Sequence, residues 1–335
     1  MKWSGPSRTR RASTALLLAL SGFGFAGAIG GPAMAAHPKA LVAKWMELPA
    51  GTLPSDVEIA YDPGRHQLLA TERSGEATYL MTGGTWAKQS AAPLGDEVRA
   101  LTYSPAIGEI VAVTLGRTPG CAPDQCQYTG ITRASTWNGA AWSAPLTAPA
   151  TAEPGRWVQA DVMAVDPSNG NVIVLGGVYS PPCNPPLPGI CYFGPRMWGF
   201  DGLTWTERQA PPDLQPCLAA THDPLLGVDY LLCNGTAWSF AGWSWQRLPD
   251  GSAPADRYVD RLAFDPSIGA VIGRESTATC RVPEDTWFWA GARATPVVER
   301  KIAGVCGSIA YDAELGGVVL AGEGRTFVMR AVLAS

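Results

Sequence analysis

Short apolar stretches recur along the chain from about residue 57, and each pair is separated by the same kind of turn. The turn carries an aromatic or apolar residue, then Asp or Ser, then usually Pro, and a Gly follows in five of the six copies. Asp-Pro initiates a tight turn, and Gly accommodates the positive φ that completes it. Each copy therefore predicts a β-hairpin. The copies are Tyr61-Asp62-Pro63, Tyr103-Ser104-Pro105, Val165-Asp166-Pro167, His222-Asp223-Pro224, Phe264-Asp265-Pro266 and Tyr311-Asp312-Ala313.

A second pattern follows most of these hairpins. Aromatic and apolar residues alternate with others, a Gly-containing turn comes next, and a Trp lies shortly beyond it. Alternation of this kind indicates a third strand, and the turn leads into a fourth strand that carries the Trp. Antiparallel strands in groups of four, repeating every 42 to 62 residues, are typical of propeller blades. The copies are Thr78–Trp86, Trp137–Trp142, Met197–Trp205 and Ala237–Trp245.

The two ends of the repeat region complement each other. The sixth unit stops after its third strand, near Phe327-Val328-Met329, and lacks a fourth strand with Trp. The segment Lys44–Gly51 matches Ser244–Gly251, which follows the pattern of a fourth strand. A closed ring leaves no exposed blade edge. The sequence therefore predicts an all-β, six-bladed β-propeller of four-stranded antiparallel blades, with the N-terminal strand completing the last blade.

The first 35 residues have the features of a secretory signal peptide. Residues 1–11 are basic, an apolar stretch begins at Ala15, and Ala33-Met34-Ala35 provides small residues for cleavage. The alternative is an uncleaved membrane anchor, but Ser and Gly residues dilute the stretch. We expect residues 1–35 to be removed and residues 36–335 to form one propeller domain that is secreted, extracellular and not inserted in a membrane.

Composition and charge narrow the function classes. The chain is 46% apolar and 16% charged, which excludes a disordered protein. Four of its 25 basic residues and none of its 29 acidic ones lie in residues 1–35, so the remainder carries 21 basic and 29 acidic residues, a net charge of −8. A nucleic-acid-binding surface needs the opposite sign. We expect a monomer that does not bind nucleic acid.

Eight cysteines in an exported chain predict four disulfides. The repeat register favours nearest-neighbour pairing among the 105 connectivities that eight cysteines allow. In particular, Cys217 and Cys233 fall opposite each other across strands one and two of their hairpin. The metal-binding alternative lacks a CxxC pair and has only three His available, so we expect no metal and no cofactor. The predicted pairs are Cys121–Cys126, Cys183–Cys191, Cys217–Cys233 and Cys280–Cys306.

The blade pattern resembles kelch repeats. Gly176-Gly177 after a second strand and the Met197–Trp205 ending with its Phe200-Asp201-Gly202 turn carry the resemblance, which extends over residues 36–335 with degenerate motifs. Kelch-like propellers bind proteins or glycans, and some exported ones are copper oxidases of the galactose-oxidase type. A copper centre of this type needs convergent His and Tyr ligands. This chain has only three His and does not obviously supply two of them to one site, so it has no match to the copper site. The resemblance implies a fold more firmly than a function.

The resemblance also places the loops between strands two and three on one face of the propeller, together with the starts of the inner strands. Long insertions occupy three of these loops, Arg117–Arg133, Val178–Pro195 and Arg274–Asp285. Polar residues recur five and seven positions before the turn Asp or Ser, at a spacing that places them on one side of a strand. A ligand site at this channel mouth would use Glu97, Arg99, Trp157, Asp161, Tyr192, Tyr258 and Asp260, with Phe193 as a further aromatic platform.

Two alternatives remain open for these residues. The charged members could pair between adjacent blades and serve packing alone, since buried charges need partners. Two of the carboxylates, Glu97 or Asp161 with Asp260, could instead cleave glycosidic bonds. A Ser-His-Asp triad and a Gly-x-Ser-x-Gly motif are not found. We therefore predict a binding module for a glycan or an extracellular protein. The alternative is an extracellular carbohydrate-active enzyme of the glycosidase or lyase type.

Overall fold

Six four-stranded antiparallel sheets form the fold, as the repeat predicts. The computed structural model describes residues 41–49, 51, 53–117, 128–149, 157–180, 191–211, 213–241, 244–249, 259–275, 286–290, 293–296, 305 and 307–333. None of the described segments forms a helix that could cross a bilayer. The predicted signal peptide, residues 1–35, lies outside the described residues.

The strands are numbered in chain order and grouped here by blade. Blade 1 contains β2 (Val57–Asp62), β3 (Gln67–Glu72), β4 (Thr78–Thr82) and β5 (Thr85–Lys88). Blade 2 contains β6 (Glu97–Ser104), β7 (Glu109–Arg117), β8 (Tyr128–Trp137) and β9 (Leu146–Thr147). Blade 3 contains β10 (Trp157–Val165), β11 (Val172–Ser180), β12 (Cys191–Phe200) and β13 (Trp205–Arg208).

The same order continues through the second half of the chain. Blade 4 contains β14 (Cys217–Asp223), β15 (Val228–Cys233), β16 (Thr236–Ala241) and β17 (Ser244–Arg247). Blade 5 contains β18 (Val259–Asp265), β19 (Ala270–Glu275), β20 (Thr286–Ala290) and β21 (Arg293–Pro296). Blade 6 contains β22 (Ser308–Asp312), β23 (Gly317–Gly322), β24 (Arg325–Leu333) and β1 (Leu41–Glu47).

The recurring turn is held by the carboxylate of its Asp. Asp62 Oδ1 accepts hydrogen bonds from the backbone N–H of Gly64 and Arg65 at 2.9 and 3.0 Å. This short polar side chain substitutes for a backbone partner, which is why Asp is favoured in turns. Gly occupies the positive-φ position in five turns, and in the first turn His66 takes that conformation with φ of 53°. The recurring chemistry of the turn thus fixes where each inner strand ends.

The ring is closed by the N-terminal strand. β1 pairs antiparallel with β24 from Leu41↔Leu333 to Glu47↔Phe327, which gives blade 6 its fourth strand. Trp45 is buried on the core between blades 5 and 6. Hydrophobic clusters of this kind lie between each pair of neighbouring blades in the described residues. The packing therefore runs around the whole ring without a gap.

In four blades, a Trp at the outer edge of the blade ties it to the blade before it. Their rings are largely buried, and the indole N–H needs a partner inside the protein. Thr hydroxyl groups near the start of the preceding blade's third strand provide it in three cases. The bonds, all between 2.9 and 3.1 Å, run from Trp45 to Thr286, from Trp86 to Thr326, from Trp142 to Thr78 and from Trp205 to the Leu146 carbonyl.

One predicted disulfide is confirmed. Cys217 and Cys233 are opposite each other in the β14–β15 pairing and are joined by a disulfide bond. Cys191 begins β12, but its side chain is not among those described. The other predicted partners lie outside the described residues, so those three pairs stay predictions. These partners are Cys121, Cys126, Cys183, Cys280 and Cys306.

The first strand of every blade is a sheet edge, and the six edges surround a central channel. Neighbouring inner strands contact each other in the order β2, β6, β10, β14, β18, β22 and back to β2. We call the end where the inner strands begin the loop face, and the end with the Asp turns the turn face. The unpaired backbone groups of an edge strand are available to water or ligands in the channel.

Candidate functional site

The channel is built in layers, because all six inner strands keep the same register to their turns. One layer consists of the residues three positions before the turn Asp or Ser, and all of these are apolar. They line the cavities on both sides of them and so form an apolar girdle between the two mouths. The girdle consists of Ile59, Leu101, Met163, Ala220, Leu262 and Ile309.

On the loop face of the girdle lies a small charged cavity of about 100 Å³. Its charged side chains come from blades 1, 2, 3 and 5. We call this set the charged ring. It consists of Glu58, Arg99, Asp161, Asp260 and Arg261.

A β-bulge at the same level of four blades explains how these side chains meet. The pairing between the first two strands shifts register at Arg99, Asp161, Leu218 and Asp260, each of which is an extra residue in its inner strand. A bulged residue is released from the ladder, and bulges commonly re-aim side chains beside functional sites. All four bulged residues line the loop-face cavity.

Within the charged ring, opposite charges lie in contact. Arg261 approaches Glu58 at 3.5 Å and Asp260 at 3.4 Å, so one guanidinium links blades 5 and 1, which are not neighbours in the ring. Arg73 also reaches Glu58, at 2.6 Å. Burial opposes the charge on Arg73, but Glu58 and Asp56 outweigh this effect and raise the pKa of Arg73 above its ordinary value. These contacts hold the ring side chains in fixed positions.

The structure brings together three of the residues selected from the sequence, Arg99, Asp161 and Asp260. Glu97 does not line the same cavity, because the bulge at Arg99 interrupts the two-residue alternation on which its placement relied. It lies in an adjoining cavity and pairs with Arg99 at 2.7 Å.

Nothing in the described structure tests the aromatic candidates. Trp157 and Tyr192 lie in β10 and β12, but their side chains, like that of Phe193, are not among those described. Tyr258 lies outside the described residues. Their role at the mouth stays a prediction.

Sequence reasoning missed Glu58 and Arg261, two members of the charged ring. Both stand four residues before the turn Asp, one position later than the residues that were selected. β2 pairs with β3 without a bulge, so the charge in blade 1 appears one position closer to the turn. Comparison of positions four and five together would have revealed the full set.

On the turn face of the girdle the channel widens into a cavity of about 560 Å³, which we call the vestibule. Aromatic rings from five blades line it, each from the residue directly before the turn Asp or Ser. Its walls are predominantly apolar, and the hydroxyl of Tyr61 is buried with no hydrogen-bond partner in the described part of the chain. The rings belong to Tyr61, Tyr103, His222, Phe264 and Tyr311.

His222 in the vestibule wall is paired with a buried carboxylate. Its Nδ1 lies 2.7 Å from Asp229 Oδ1, and the Asp229 side chain is fully buried. Burial raises the pKa of Asp229 to about 6, although the hydrogen bond from His222 partly offsets that rise. The turn pattern of the sequence did not reveal this pair.

We predict that the stability of the Asp229→Asn variant, relative to that of the wild type, increases as the pH rises. In the wild type the folded state holds the Asp229 proton more tightly than the unfolded state, so this group's stabilising contribution is lost as the pH rises from about 4 to about 6. Asn does not titrate. The unfolding free energy of the variant relative to wild type should rise by about 2 kcal/mol between pH 4 and pH 7, measured by urea unfolding.

Asp201→Asn is the matched control, because its stability relative to wild type should change with pH in the opposite direction. Backbone N–H groups of Leu203 and Thr204 hold the pKa of Asp201 below its ordinary value, so its contribution is present at neutral pH and lost as the pH falls. The variant should lose stability relative to wild type as the pH rises. A flat Asp229→Asn difference curve would contradict the burial argument.

Among the described residues, no group of three or more His, Cys, Asp or Glu is arranged to hold a metal ion. The carboxylates of the charged ring are accompanied by arginines instead, as given above. Within the described part of the channel, a ligand could therefore form hydrogen bonds and ion pairs at the loop face and aromatic contacts at the turn face.

Comparison with known proteins shows the fold. No protein-family model matches the sequence, and no curated protein matches it significantly. Solved structures do match: a gluconolactonase from Xanthomonas campestris has a TM-score of 0.57 at 13% identity, covering 90% of this chain and 98% of that one. The PQQ-bound aldose sugar dehydrogenase from Streptomyces coelicolor has a TM-score of 0.52 at 14% identity, covering 88% and 100%. A luciferin-regenerating enzyme has a TM-score of 0.53 at 10% identity, covering 88% and 95%.

Identities this low establish a propeller fold and no shared activity. The neighbours are propeller proteins with enzymatic activities of their own. The resemblance to kelch repeats in particular stays a prediction.

Proposed function

We propose that this protein is an exported binding module that takes a glycan at the loop-face mouth of its channel. The observation that carries the proposal is the bulge repeated in blades 2 to 5, which gives charged residues to one cavity in three of them. The Cys217–Cys233 disulfide supports export, since structural disulfides are typical of oxidising compartments.

The chemistry of the charged ring suits sugar hydroxyls. A hydroxyl both donates and accepts, and the ring offers carboxylate acceptors beside guanidinium donors. The ion pairs of Arg261 and Arg99 already fix several of these side chains. A ligand that binds to side chains held in place loses less conformational entropy on binding.

Binding is favoured over hydrolysis by the partners of the carboxylates. A glycosidase needs one carboxyl group that keeps its proton at working pH. Glu97 lies 2.7 Å from Arg99, and Asp260 lies 3.4 Å from Arg261, so each carboxylate already contacts a guanidinium group. These two carboxylates are therefore suited to accept hydrogen bonds from a ligand.

The proposal predicts a loss of glycan affinity when the ring is altered without changing its size. Asp161→Asn and Asp260→Asn should each weaken binding of the best glycan from an array by at least about tenfold, measured by titration calorimetry, because a hydrogen bond to a charged group contributes about 1.5–3 kcal/mol. Asp201→Asn, at an exposed turn far along its blade from the channel strands, should leave the affinity unchanged.

Unfolding curves for each variant separate lost binding from lost folding. Equal affinity of wild type and both ring variants would rule out the charged ring as the glycan site. Conversion of the bound glycan to products would instead support the carbohydrate-active enzyme, and specific capture of an extracellular protein without glycan binding would support a protein ligand.

A further inference from the structure

The vestibule on the turn face is a second concave site, separated from the charged ring by the apolar girdle. Its five aromatic rings come from five different blades at one level of the channel, and prolines from the turns surround the opening. Its volume of about 560 Å³ falls within the range of small-molecule sites. The prolines are Pro63, Pro105, Pro224 and Pro266.

Buried carboxylates stand directly behind this aromatic wall. The turn Asp residues directly follow vestibule-lining residues in sequence, which are aromatic in all cases except Val165, and each Asp is at most 4% exposed. In the described part of the chain, Arg65 pairs with Asp62 and Arg208 lies 3.5 Å from Asp166. The carboxylates are Asp62, Asp166, Asp223, Asp265 and Asp312, with Asp229 beside His222.

Three of these carboxylates have no cationic partner among the described residues. Asp223, Asp265 and Asp312 accept hydrogen bonds from groups of their own turns, and none has a Lys or Arg of the described chain within 4 Å. Neutral hydrogen-bond donors leave the net charge in place. Burial raises the pKa of these three carboxyl groups above the ordinary value, and at a pH above those pKa values the turn-face end of the channel carries uncompensated negative charge.

Two tyrosines of the vestibule wall have raised pKa values. Burial and the charges of Asp312, Glu314 and Asp62 raise the pKa of Tyr61 to about 12. Burial, Asp265 and Asp312 raise the pKa of Tyr311. Neighbouring carboxylates thus contribute, after burial, to the raised pKa values of Tyr61 and Tyr311.

We propose that the vestibule binds an organic cation, an ammonium group with apolar substituents. Aromatic faces attract such a cation through the ring quadrupole, and the attraction is strongest where water is excluded. The carboxylates behind the rings add to it, whereas they would repel an anion. A small metal ion is excluded because it prefers oxygen ligands to aromatic carbon. A neutral apolar ligand would fill the space and leave the charge uncompensated.

The probe is choline, and its neutral isostere 3,3-dimethyl-1-butanol is the matched control. Both are titrated into the full-length oxidised protein by calorimetry at pH 8. Choline should bind at least about tenfold more tightly than the isostere. Raising the salt concentration should weaken the binding of choline and leave that of the neutral isostere unchanged. Equal affinity for the two compounds, or no binding of choline, would overturn the proposal.

Variants of one vestibule residue locate the site. Tyr61→Phe keeps the aromatic face and should retain choline binding within about twofold, whereas Tyr61→Leu removes the face and should weaken it by about fivefold to tenfold. Unfolding midpoints check that both variants fold. Equal effects of the two substitutions would overturn the assignment.

Asp161→Asn, on the other side of the girdle, should leave choline binding unchanged. The two proposals therefore fail independently: loss of glycan binding leaves the cation site standing, and loss of choline binding leaves the charged ring untouched. Choline binding that responds to Asp161→Asn and not to Tyr61→Leu would place the cation at the loop face and contradict the inference.

Discussion

Deleting the seven residues Leu41–Glu47 is expected to abolish cooperative folding of the propeller. β1 is the fourth strand of blade 6, so the deletion exposes the edge of β24 and removes Trp45 from the core between blades 5 and 6. An open blade edge is also a template for aggregation. Urea unfolding followed by tryptophan fluorescence should show no cooperative transition at the wild-type midpoint.

A circular permutant is the matched control for this deletion. Leu41 pairs with Leu333, so a copy of Leu41–Glu47 placed after Leu333 through a two-residue Asn-Gly turn would run in the native direction. The permutant should recover cooperative unfolding. A deletion variant that unfolds like wild type, or a permutant that fails as the deletion does, would contradict closure by β1.

Replacing Trp86 by alanine is expected to cost about 3–5 kcal/mol of unfolding free energy, the usual range for a buried aromatic residue. Trp86 is 7% exposed and packs in the cluster between blades 1 and 6. Its indole N–H donates to the Thr326 hydroxyl at 2.9 Å, so the substitution removes both packing and a link between blades. Urea unfolding measures the loss.

Thr326→Val separates the two contributions. Thr326 is 1% exposed, and valine preserves its shape while leaving the indole N–H of Trp86 without a partner. The cost should be about 1–3 kcal/mol, smaller than that of Trp86→Ala. A loss below about 1 kcal/mol for Trp86→Ala would mean that the outer-strand Trp residues do not join the blades.

Much of the fold could be predicted because its determinants are local. The Asp or Ser of each turn bonds to backbone groups two or three residues later, so the signal lies within one short segment, as at Asp62. Closure could be predicted because Lys44–Gly51 carries the same outer-strand pattern as Ser244–Gly251. The links between blades could not, since the Thr acceptors lie far from their Trp donors in sequence.

The site was predicted only in part for a physical reason. Alternation by two assumes an unbroken ladder, and the bulges at Arg99, Asp161 and Asp260 break it. This explains why Glu97 falls outside the cavity and why Arg261, directly after the bulged Asp260, was missed. Glu58 was missed because β2 lacks the bulge, which places its charge one position closer to the turn. The vestibule was overlooked because an aromatic residue before a turn is normally interpreted as a residue that packs in the core. Only the ring arrangement of six inner strands brings those residues together around a cavity.

A glycan-array screen of the purified, oxidised protein tests the central claim most directly. The proposal predicts that a defined set of glycans binds, that Asp161→Asn loses this binding, and that prolonged incubation leaves the bound glycans chemically unchanged. An array without binding, or the appearance of new reducing ends or oxidised sugars, would contradict a glycan-binding module at the loop face.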